Sequence, residues 1–225
     1  MAKSNKKVVI DNAIGISEAI ELLKKACQDT QRKFVENVDL AINLSIDPKQ
    51  SNQNVRGSVS LPAGTGKEVK VIVFTEDESL QKEALEAGAI LSGMDELMAK
   101  IEGGFLGFDY VVATPESMKK MSKIAKVLGP RGLMPNPKNG NITKDIGKVV
   151  KEILKGKVDF KNDKFGIVHV GVGKINFSTE DLVNNIRAVI TALKEAKPEG
   201  VKGKFIKNIF LTSTMGPSFM VNVDK

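Results

Sequence analysis

Few side chains in this sequence can perform acid–base or metal chemistry. The 225 residues include one histidine, His169, and one cysteine, Cys27. A zinc or iron site needs several His, Cys or carboxylate ligands at close spacing, and these two distant residues do not supply them. We therefore expect no metal centre and no cofactor. A single cysteine also excludes an internal disulfide, which fits a reducing, cytoplasmic setting.

Neither residue has a pattern typical of a catalyst. Cys27 falls on the apolar face of a helix beginning near Ser17, where a cysteine usually packs as a small apolar residue. His169 lies in an alternating segment, and a general base there would need an orienting partner that the sequence does not show. We interpret His169 as a hydrogen-bonded histidine on a strand, because most perturbed groups are structural.

One glycine-containing segment matches a phosphate-binding loop only in part. Gly64-Thr-Gly-Lys67 has the final Gly-Lys of that loop, but Leu61 stands where the first glycine belongs. Glu68 also replaces the Ser or Thr that would hold magnesium. Because no Gly-x-Gly-x-x-Gly follows the next apolar run, a dinucleotide site is disfavoured as well.

The excess of positive charge favours a polyanion partner. Lys and Arg total 34 against 27 for Asp and Glu, giving a net charge of +7, and nucleic acid is the usual partner for such an excess. Residues 117–157 hold 11 basic and 2 acidic side chains, whereas residues 70–116 hold 3 and 10. No apolar run approaches the roughly 18 residues of a membrane span.

A proline-rich segment lies within the basic stretch. Residues 128–138 read Leu-Gly-Pro-Arg-Gly-Leu-Met-Pro-Asn-Pro-Lys, with three prolines and two glycines. Such a composition predicts a fixed, extended loop that displays Arg131 and Lys138 as cationic contacts. A helix stop followed by a plain connector is the alternative.

Two kinds of hydrophobic pattern divide the chain. Residues 34–46 alternate between apolar and polar, as do strands predicted near 165–172 and 205–212, which is typical of sheets with one buried face. Between them, short apolar runs at 69–74 and 110–113 alternate with helical patterns, which is typical of parallel α/β structure. Capping signals predict helices from Ser79 to Ala87, Thr114 to Leu128, Thr143 to Lys155 and Thr179 to Ala196.

The simplest architecture that explains both patterns contains an insertion. Residues 1–67 and 158–225 would form a discontinuous α+β domain, and residues 68–157 an α/β domain inserted into it. The two crossings are rich in glycine and lysine, as hinges often are.

Several segments together resemble the ribosomal protein L1 family, and the resemblance extends over nearly the whole chain. These segments are residues 128–138, Gln53-Asn-Val-Arg-Gly57 with Leu61-Pro62, Phe165-Gly-Ile-Val-His169 to Gly173-Lys174, Asn184-Asn-Ile-Arg187, Lys197-Pro-Glu-Gly200 and Thr214-Met-Gly-Pro-Ser218. The bacterial branch looks most similar. The resemblance implies a discontinuous two-layer α+β domain with an inserted Rossmann-like three-layer α/β domain.

The same resemblance implies recognition of RNA and no catalysed reaction. Proteins of this family are structural constituents of the large ribosomal subunit, where they bind the stalk region of large-subunit (23S) rRNA and assist release of exit-site tRNA. Many also bind the messenger RNA of their own operon and repress its translation. We therefore expect these three RNA partners, a cytoplasmic ribosomal location and no membrane partner.

The family's main RNA surface corresponds here to Lys33, Phe34, Thr214, Met215 and Gly216. An aromatic ring can lie against a base or ribose, and a threonine hydroxyl can bond a 2′-hydroxyl. Glycine lets the RNA backbone approach closely because it has no side chain. Further candidates on the same domain are His169, Lys174, Asn208 and Ser218, and the secondary basic loop adds Arg131 and Lys138.

Three alternatives stay open at this point. Phe34 could instead be a core residue at a strand end. The chain could be an enzyme that acts on a phosphorylated small molecule between its two domains, using His169 and the basic loop. It could also be a messenger-binding regulator that acts outside the ribosome.

Overall fold

A computed structural model describes residues 13–30, 32–201 and 203–222, except for the side chains of Ser51 and Lys138. The predicted contact from the Lys138 side chain therefore lies outside the described residues. The fold is mixed α/β and separates by its packing into two compact units. We call residues Met1–Gly66 with Val158–Lys225 the terminal unit, and Lys67–Lys157 the central unit.

Strands and helices are mixed along the whole described chain. In order they are β1 (Ile14–Gly15), α1 (Ile16–Thr30), β2 (Asn37–Leu44), β3 (Arg56–Ser60), β4 (Val71–Phe74), α2 (Glu78–Glu86), β5 (Leu91–Gly93), α3 (Asp95–Glu102), β6 (Tyr110–Ala113), α4 (Ser117–Met121), α5 (Ala125–Leu128), α6 (Ile146–Leu154), β7 (Lys157–Lys161), β8 (Ile167–Lys174), α7 (Thr179–Glu195), β9 (Ile206–Ser213) and β10 (Ser218–Asn222). Short 3-10 turns occur at Ser51–Gln53 and Pro137–Asn139.

The terminal unit is built on a five-stranded sheet with the order β1-β10-β9-β2-β8. Strand β2 runs antiparallel to both β8 and β9, so the centre of the sheet joins the two distant parts of the sequence. Strands β3 and β7 form a separate two-stranded sheet.

One face of the main sheet is buried and the other carries more polar side chains. Val38, Leu40 and Ile42 of β2 are buried, and the residues between them are only partly covered. The buried set joins residues of α1 and α7 in one hydrophobic cluster. Because side chains alternate across a strand, His169 of β8 and Asn208 of β9 fall on the opposite face, where both are exposed.

Helix α7 confirms the helix predicted from Thr179 to Ala196. The Ser178 hydroxyl accepts a hydrogen bond from the Asp181 backbone N–H at 3.0 Å, which is the usual N-cap contact. Leu182, Ile186 and residues one and two turns further along are buried against the sheet. This packing fixes the helix across β8.

The central unit has a parallel sheet with the order β5-β4-β6 and helices on both faces. Every side chain of β4 is buried. Ile72 and Phe74 pack into one cluster with residues of α3, α4 and α5, whereas Val71 and Val73 pack into another with residues of α2 and α6. Burial on both faces explains why this strand is a continuous apolar run in the sequence.

The predicted continuous helix over residues 114–128 is wrong. Two short helices, α4 and α5, replace it. The Ser122 hydroxyl donates to the Lys119 carbonyl at 2.8 Å, and the Ile124 N–H bonds the Met121 carbonyl only three residues back. Serine bonds of this kind compete with the helix ladder, and lysines three or four residues apart here repel one another.

Two other local predictions need correction. Helix α6 begins at Ile146, since the Thr143 hydroxyl oxygen accepts from the Asp145 N–H at 3.1 Å in a turn before the helix. The loop over residues 128–138 is not fully extended, because the Gly132 N–H bonds the Gly129 carbonyl at 3.0 Å. No helix in the described residues is long and apolar enough to cross a membrane.

Candidate nucleic-acid interface

Three segments of the terminal unit meet at one end of its main sheet. Just after β9, the Thr214 N–H donates to the Asn37 carbonyl at 3.1 Å, and the Asn37 N–H donates to Thr214 Oγ1 at 3.0 Å. On its other side, Asn37 is the register partner of Lys174 at the end of β8. Lys33 and Phe34 lie on the segment that leads into β2. The sheet therefore brings together residues separated by up to 181 positions in sequence.

Ser218 belongs to the same end, because it is the first residue of β10 and pairs with Thr212 of β9. The turn that joins these two strands contains Met215 and Gly216. We call this group the sheet-end surface; its members are Lys33, Phe34, Lys174, Thr214, Met215, Gly216 and Ser218.

The two largest apolar side chains of the sheet-end surface face outward. Phe34 is 52% exposed and Met215 is 65% exposed. The alternative that Phe34 is a core residue is therefore wrong. The strand predicted from this residue begins only at Asn37, so Phe34 precedes the sheet and is not covered by it. Exposed apolar side chains that lie close together can form part of a binding surface.

The ion pair Arg32–Glu36 hydrogen-bonds both backbone polar groups of Met215. The Met215 N–H donates to Glu36 Oε2 at 3.1 Å, and Arg32 Nη2 donates to the Met215 carbonyl at 2.8 Å. Arg32 Nη1 also contacts Glu36 Oε1 at 2.5 Å. The side chain of Glu36 is 2% exposed. The orientation of Met215 is thus set by two charged side chains whose own contact is sheltered from water.

Burial and hydrogen bonding shift the pKa of the Glu36 carboxyl in opposite directions. Burial alone would raise the pKa of its carboxyl, but hydrogen bonds from the Met215 N–H, Ser213 and Arg32 outweigh it and lower the pKa below the ordinary value. Glu36 is therefore ionised at neutral pH. As a carboxylate it can accept all of these bonds at once.

Cys27 stands behind this network. It is partly buried, whereas the sequence predicts a small buried apolar residue. Its thiol donates to Ser213 Oγ at 3.4 Å, and burial raises the pKa of the thiol. A neutral thiol is a weak nucleophile, so Cys27 has a packing role here.

Gly216 packs closely against the Ser213 side chain. A Cβ atom at this position would collide with Ser213 Oγ and would touch Leu23. Ser213 also bonds Glu36, whose carboxylate accepts from the Met215 N–H. A side chain at Gly216 would therefore displace Ser213 and disturb the position of Glu36. The turn is therefore tight for reasons inside the protein, besides any approach of RNA.

The Thr214 hydroxyl is held by its oxygen. Its Oγ1 accepts from the Asn37 N–H, so the hydroxyl hydrogen can point away from the sheet. The side chain is exposed. Thr214 can therefore donate to a phosphate or 2′-hydroxyl oxygen at a position fixed by the sheet.

His169 and Asn208 lie farther along the open face. His169 pairs with Ala41 across β2 and β8, about 16 Å from Lys174 at about 3.3 Å per strand residue. Its Nε2 is 3.9 Å from Asp163 Oδ2, which is too long for a hydrogen bond. Asn208 pairs with Asn43 of β2.

A half-buried carboxyl shares this face. Burial raises the pKa of Asp39, and the charges of His169 and Lys174 only partly offset the increase. The open face therefore includes the Asp39 carboxyl as well as the basic residues His169 and Lys174.

The secondary basic loop belongs to the other unit. Its two members, Arg131 and Lys138, lie in the central unit, where Arg131 is exposed, whereas the other nominated residues are in the terminal unit. Within the described residues, no group of three or more His, Cys, Asp or Glu side chains could hold a metal ion.

Reasoning from the sequence missed Arg32, Glu36, Ser213 and Asn185. The sequence did contain a signal for Glu36. It lies two residues before Val38 in the alternating segment, which places it on the same inward face, and Arg32 lies four residues before it. A charge at an inward position needs a partner. Asn185 lies in a segment of the family resemblance, but only its burial shows that it bonds backbone groups.

Comparison with known proteins decides the family. The model of the ribosomal protein L1p/L10e family matches residues 22–217. The chain belongs to this family. Members of the L1p/L10e family are ribosomal proteins and not enzymes, so the alternative of a phosphate-processing enzyme is wrong.

Bacterial relatives cover nearly the whole chain. It is 47% identical over 94% of its length to a "Large ribosomal subunit protein uL1" of Protochlamydia amoebophila, of which 88% is covered. Identity to the protein of the same name from Persephonella marina is 48%, over 99% of this chain and 95% of the relative. The Shewanella piezotolerans protein is 45% identical, with 96% and 91% covered.

Proposed function

We propose that this chain is a structural protein of the large ribosomal subunit that binds the stalk region of large-subunit (23S) rRNA through the sheet-end surface. The observation that carries the proposal is that Glu36 and Arg32 hold the Met215 backbone by hydrogen bonds. The side chains of Met215 and Thr214 are exposed at this sheet end, as is that of Phe34. The close relatives, each named as a large-subunit protein, support the ribosomal role.

The chemistry of the surface suits RNA. Double-stranded RNA hides its base edges in a deep, narrow groove, so a protein must read its shape, its 2′-hydroxyls and its unstacked nucleotides. Phe34 and Met215 offer apolar contact to a base or ribose, and Thr214 offers a hydroxyl donor. Lys33 and Lys174 add phosphate contacts, which position the RNA and make affinity depend on salt.

Variants at two outward-facing residues test this surface. We expect Thr214→Ala and Met215→Asp each to weaken binding of a stalk-junction RNA fragment at least tenfold in a filter-binding titration. Neither side chain fills the core, so the circular dichroism spectrum should not change. Thr191→Asp, on an exposed position of α7, introduces the same charge as Met215→Asp and should bind normally. Unchanged affinity for both test variants would show that the surface is elsewhere.

Two further RNA roles belong to the same proposal. The chain assists release of exit-site tRNA, and it represses its own operon by binding messenger RNA at the sheet-end surface. Competition between a leader messenger fragment and the rRNA fragment tests the second role, since binding at one surface must be mutually exclusive. Co-sedimentation with large subunits in a cytoplasmic extract separates a ribosomal protein from a free regulator.

The division of labour between the units is also part of the proposal. Residues 1–67 and 158–225 form the RNA-binding domain, and residues 68–157 form an inserted Rossmann-like three-layer α/β domain. The parallel sheet with helices on both faces supports the second assignment. The concentration of nominated residues in the terminal unit supports the first.

A further inference from the structure

A cavity of about 420 Å³ opens on the terminal unit, at the other end of β9 from the sheet-end surface. It is lined by the last turns of α7, the start of β9 and the end of β10. The sheet-end surface follows Ser213, whereas the cavity borders Phe205 to Ile209, so the two sites lie at opposite ends of one strand.

The lining combines an apolar interior with a cationic rim. Ile190, Phe205, Ile206 and Met220 supply much of the apolar wall. Four lysines also line the cavity, and no aspartate or glutamate lines it among residues 13–30, 32–201 and 203–222. They are Lys194, Lys197, Lys204 and Lys207.

The positive charges of these lysines are not neutralised by ion pairs within the described part of the protein. All four are exposed, and no ion pair to any of them is found among the described residues. Lys197 Nζ makes one long hydrogen bond, 3.4 Å, to the Gly203 carbonyl. Like charges around one opening repel one another, and a bound anion removes that repulsion.

The combination points to a ligand with an apolar body and attached negative charge. A nucleotide has both, because its base is flat and apolar on its faces and its phosphate is anionic. The exposed amide of Asn208, which also lines the cavity, can donate to and accept from a base edge. An acidic peptide would satisfy the lysines, but it would have no comparable use for the amide.

Strand β9 connects this cavity to the sheet-end surface. Asn208 and Thr214 are six residues apart, or about 20 Å at about 3.3 Å per residue. An RNA strand held at the sheet end can cover that distance with a few nucleotides. The nucleotide in the cavity would then belong to the RNA that is already bound.

We propose that the lysine-rimmed cavity binds one unstacked nucleotide from a single-stranded segment flanking the RNA bound at the sheet end. The identification of RNA as the ligand rests on the proposed function. The cavity adds a second contact that the sheet-end surface does not include.

Methyl NMR on the isotope-labelled full-length chain tests the cavity directly. We expect adenosine monophosphate at millimolar concentration to shift the methyl signals of Ile190, Ile206 and Met220 in a saturable way. Inorganic phosphate and adenosine, each carrying half of the ligand, should bind at least tenfold more weakly. Absence of saturable shifts with the nucleotide would overturn the proposal, as would tighter binding of an acidic peptide.

Charge reversal supplies the matched variants. Lys204→Glu combined with Lys207→Glu should weaken nucleotide binding at least tenfold, without a change in fold because both side chains are exposed. The pair Lys148→Glu and Lys151→Glu makes the same charge change on exposed positions of α6 and should have no effect. Equal losses of nucleotide affinity in the two double variants would show that net charge, and not a specific site, determines binding.

RNA fragments with and without a single-stranded extension separate this inference from the proposed function. The extension should tighten binding severalfold in the wild type and in Met215→Asp, but not in the Lys204→Glu/Lys207→Glu variant. For the extended fragment, the same variant should also reduce the slope of log affinity against log salt concentration by about 1.4. This value corresponds to the loss of two lysine–phosphate contacts at about 0.7 for each single-strand contact. An ineffective Met215→Asp would refute only the sheet-end surface, whereas an ineffective extension would refute only the cavity.

Discussion

Met215 owes its position to two buried or half-buried charges more than to its own packing. Its side chain is exposed, yet both polar groups of its backbone are bonded by the Arg32–Glu36 pair. Holding a contact residue in its bound geometry lowers the entropy lost on binding. If Met215 contacts RNA as proposed, we expect the pair to contribute to RNA affinity although Glu36 itself is 2% exposed.

Glu36→Gln separates orientation from contact. The amide keeps the size of the side chain but loses the charge that holds Arg32, and we expect RNA affinity to fall at least fivefold with normal secondary structure. Hydrogen bonds to charged groups contribute about 2 kcal/mol, so the free energy of unfolding should fall by a similar amount. RNA affinity equal to that of the wild type in filter binding would show that the Arg32–Glu36 pair is not needed.

The pH dependence of stability should carry the sign of a lowered carboxyl pKa. Because the pKa of Glu36 is lower in the folded protein, its stabilisation is complete above the ordinary carboxyl pKa of about 4.3. It is lost as pH falls through the lowered value. Urea titrations from pH 6 downward should therefore show the wild type and Glu36→Gln converging in acid. A constant difference would mean that Glu36 does not titrate as described.

Gly216→Ala should be costly because of one neighbour. The new Cβ collides with Ser213 Oγ, so the substitution should lower both stability and RNA affinity. In a Ser213→Ala background that collision is gone, and the same substitution should cost at least about 1 kcal/mol less. Additive losses in urea unfolding would place the strain elsewhere in the turn.

At the scale of elements, one buried side chain ties the end of the first chain segment to α7 and β8. Asn185 accepts from the Ala63 N–H at 3.0 Å and donates to the carbonyls of Gly64 and Val172 at 3.0 and 2.7 Å. Its exposure is 0%. All three partners are backbone groups that no helix or sheet ladder would satisfy in the same way.

Asn185→Leu keeps the volume of the side chain but leaves these backbone groups unbonded. At about 1–3 kcal/mol for each unsatisfied group, we expect a loss of more than about 3 kcal/mol in the free energy of unfolding. The adjacent Asn184 is exposed, and Asn184→Leu should change stability by less than about 0.5 kcal/mol. Equal effects of the two variants would contradict the role assigned to Asn185.

For the whole molecule, net charge does not identify the unit that we propose to bind RNA. The excess of +7 is spread over the sequence, and the most basic stretch, residues 117–157, is in the central unit. Charge attracts RNA without selecting a site, whereas the sheet-end surface, as proposed, would select by shape and hydrogen bonding. The proposed surface and the strongest charge therefore lie in different units.

Replacing residues 69–156 with a short linker should retain most of the affinity for the stalk fragment. The core that supports the sheet-end surface consists of residues from the terminal unit alone. Affinity within about fivefold of the full chain is expected in filter binding, after thermal unfolding has shown that the shortened chain folds cooperatively. A folded variant that no longer binds would place the main RNA surface on the central unit.

The sequence determined the elements and the family. Alternation at 37–44 and continuous apolar runs at 71–74 follow directly from burial on one face or two, so these strands could be predicted within a few residues. The break between α4 and α5 could not, because it depends on competing local bonds of similar energy.

Only the tertiary structure decided how the site is built. Long-range pairing of β2 with β8 and β9 brings Phe34, Lys174 and Thr214 to one sheet end, and no local pattern encodes that register. It also showed Phe34 to be exposed and Glu36 to be the buried partner of Met215. Composition and periodicity report which residues prefer water, whereas the contacts among distant residues determine which of them meet.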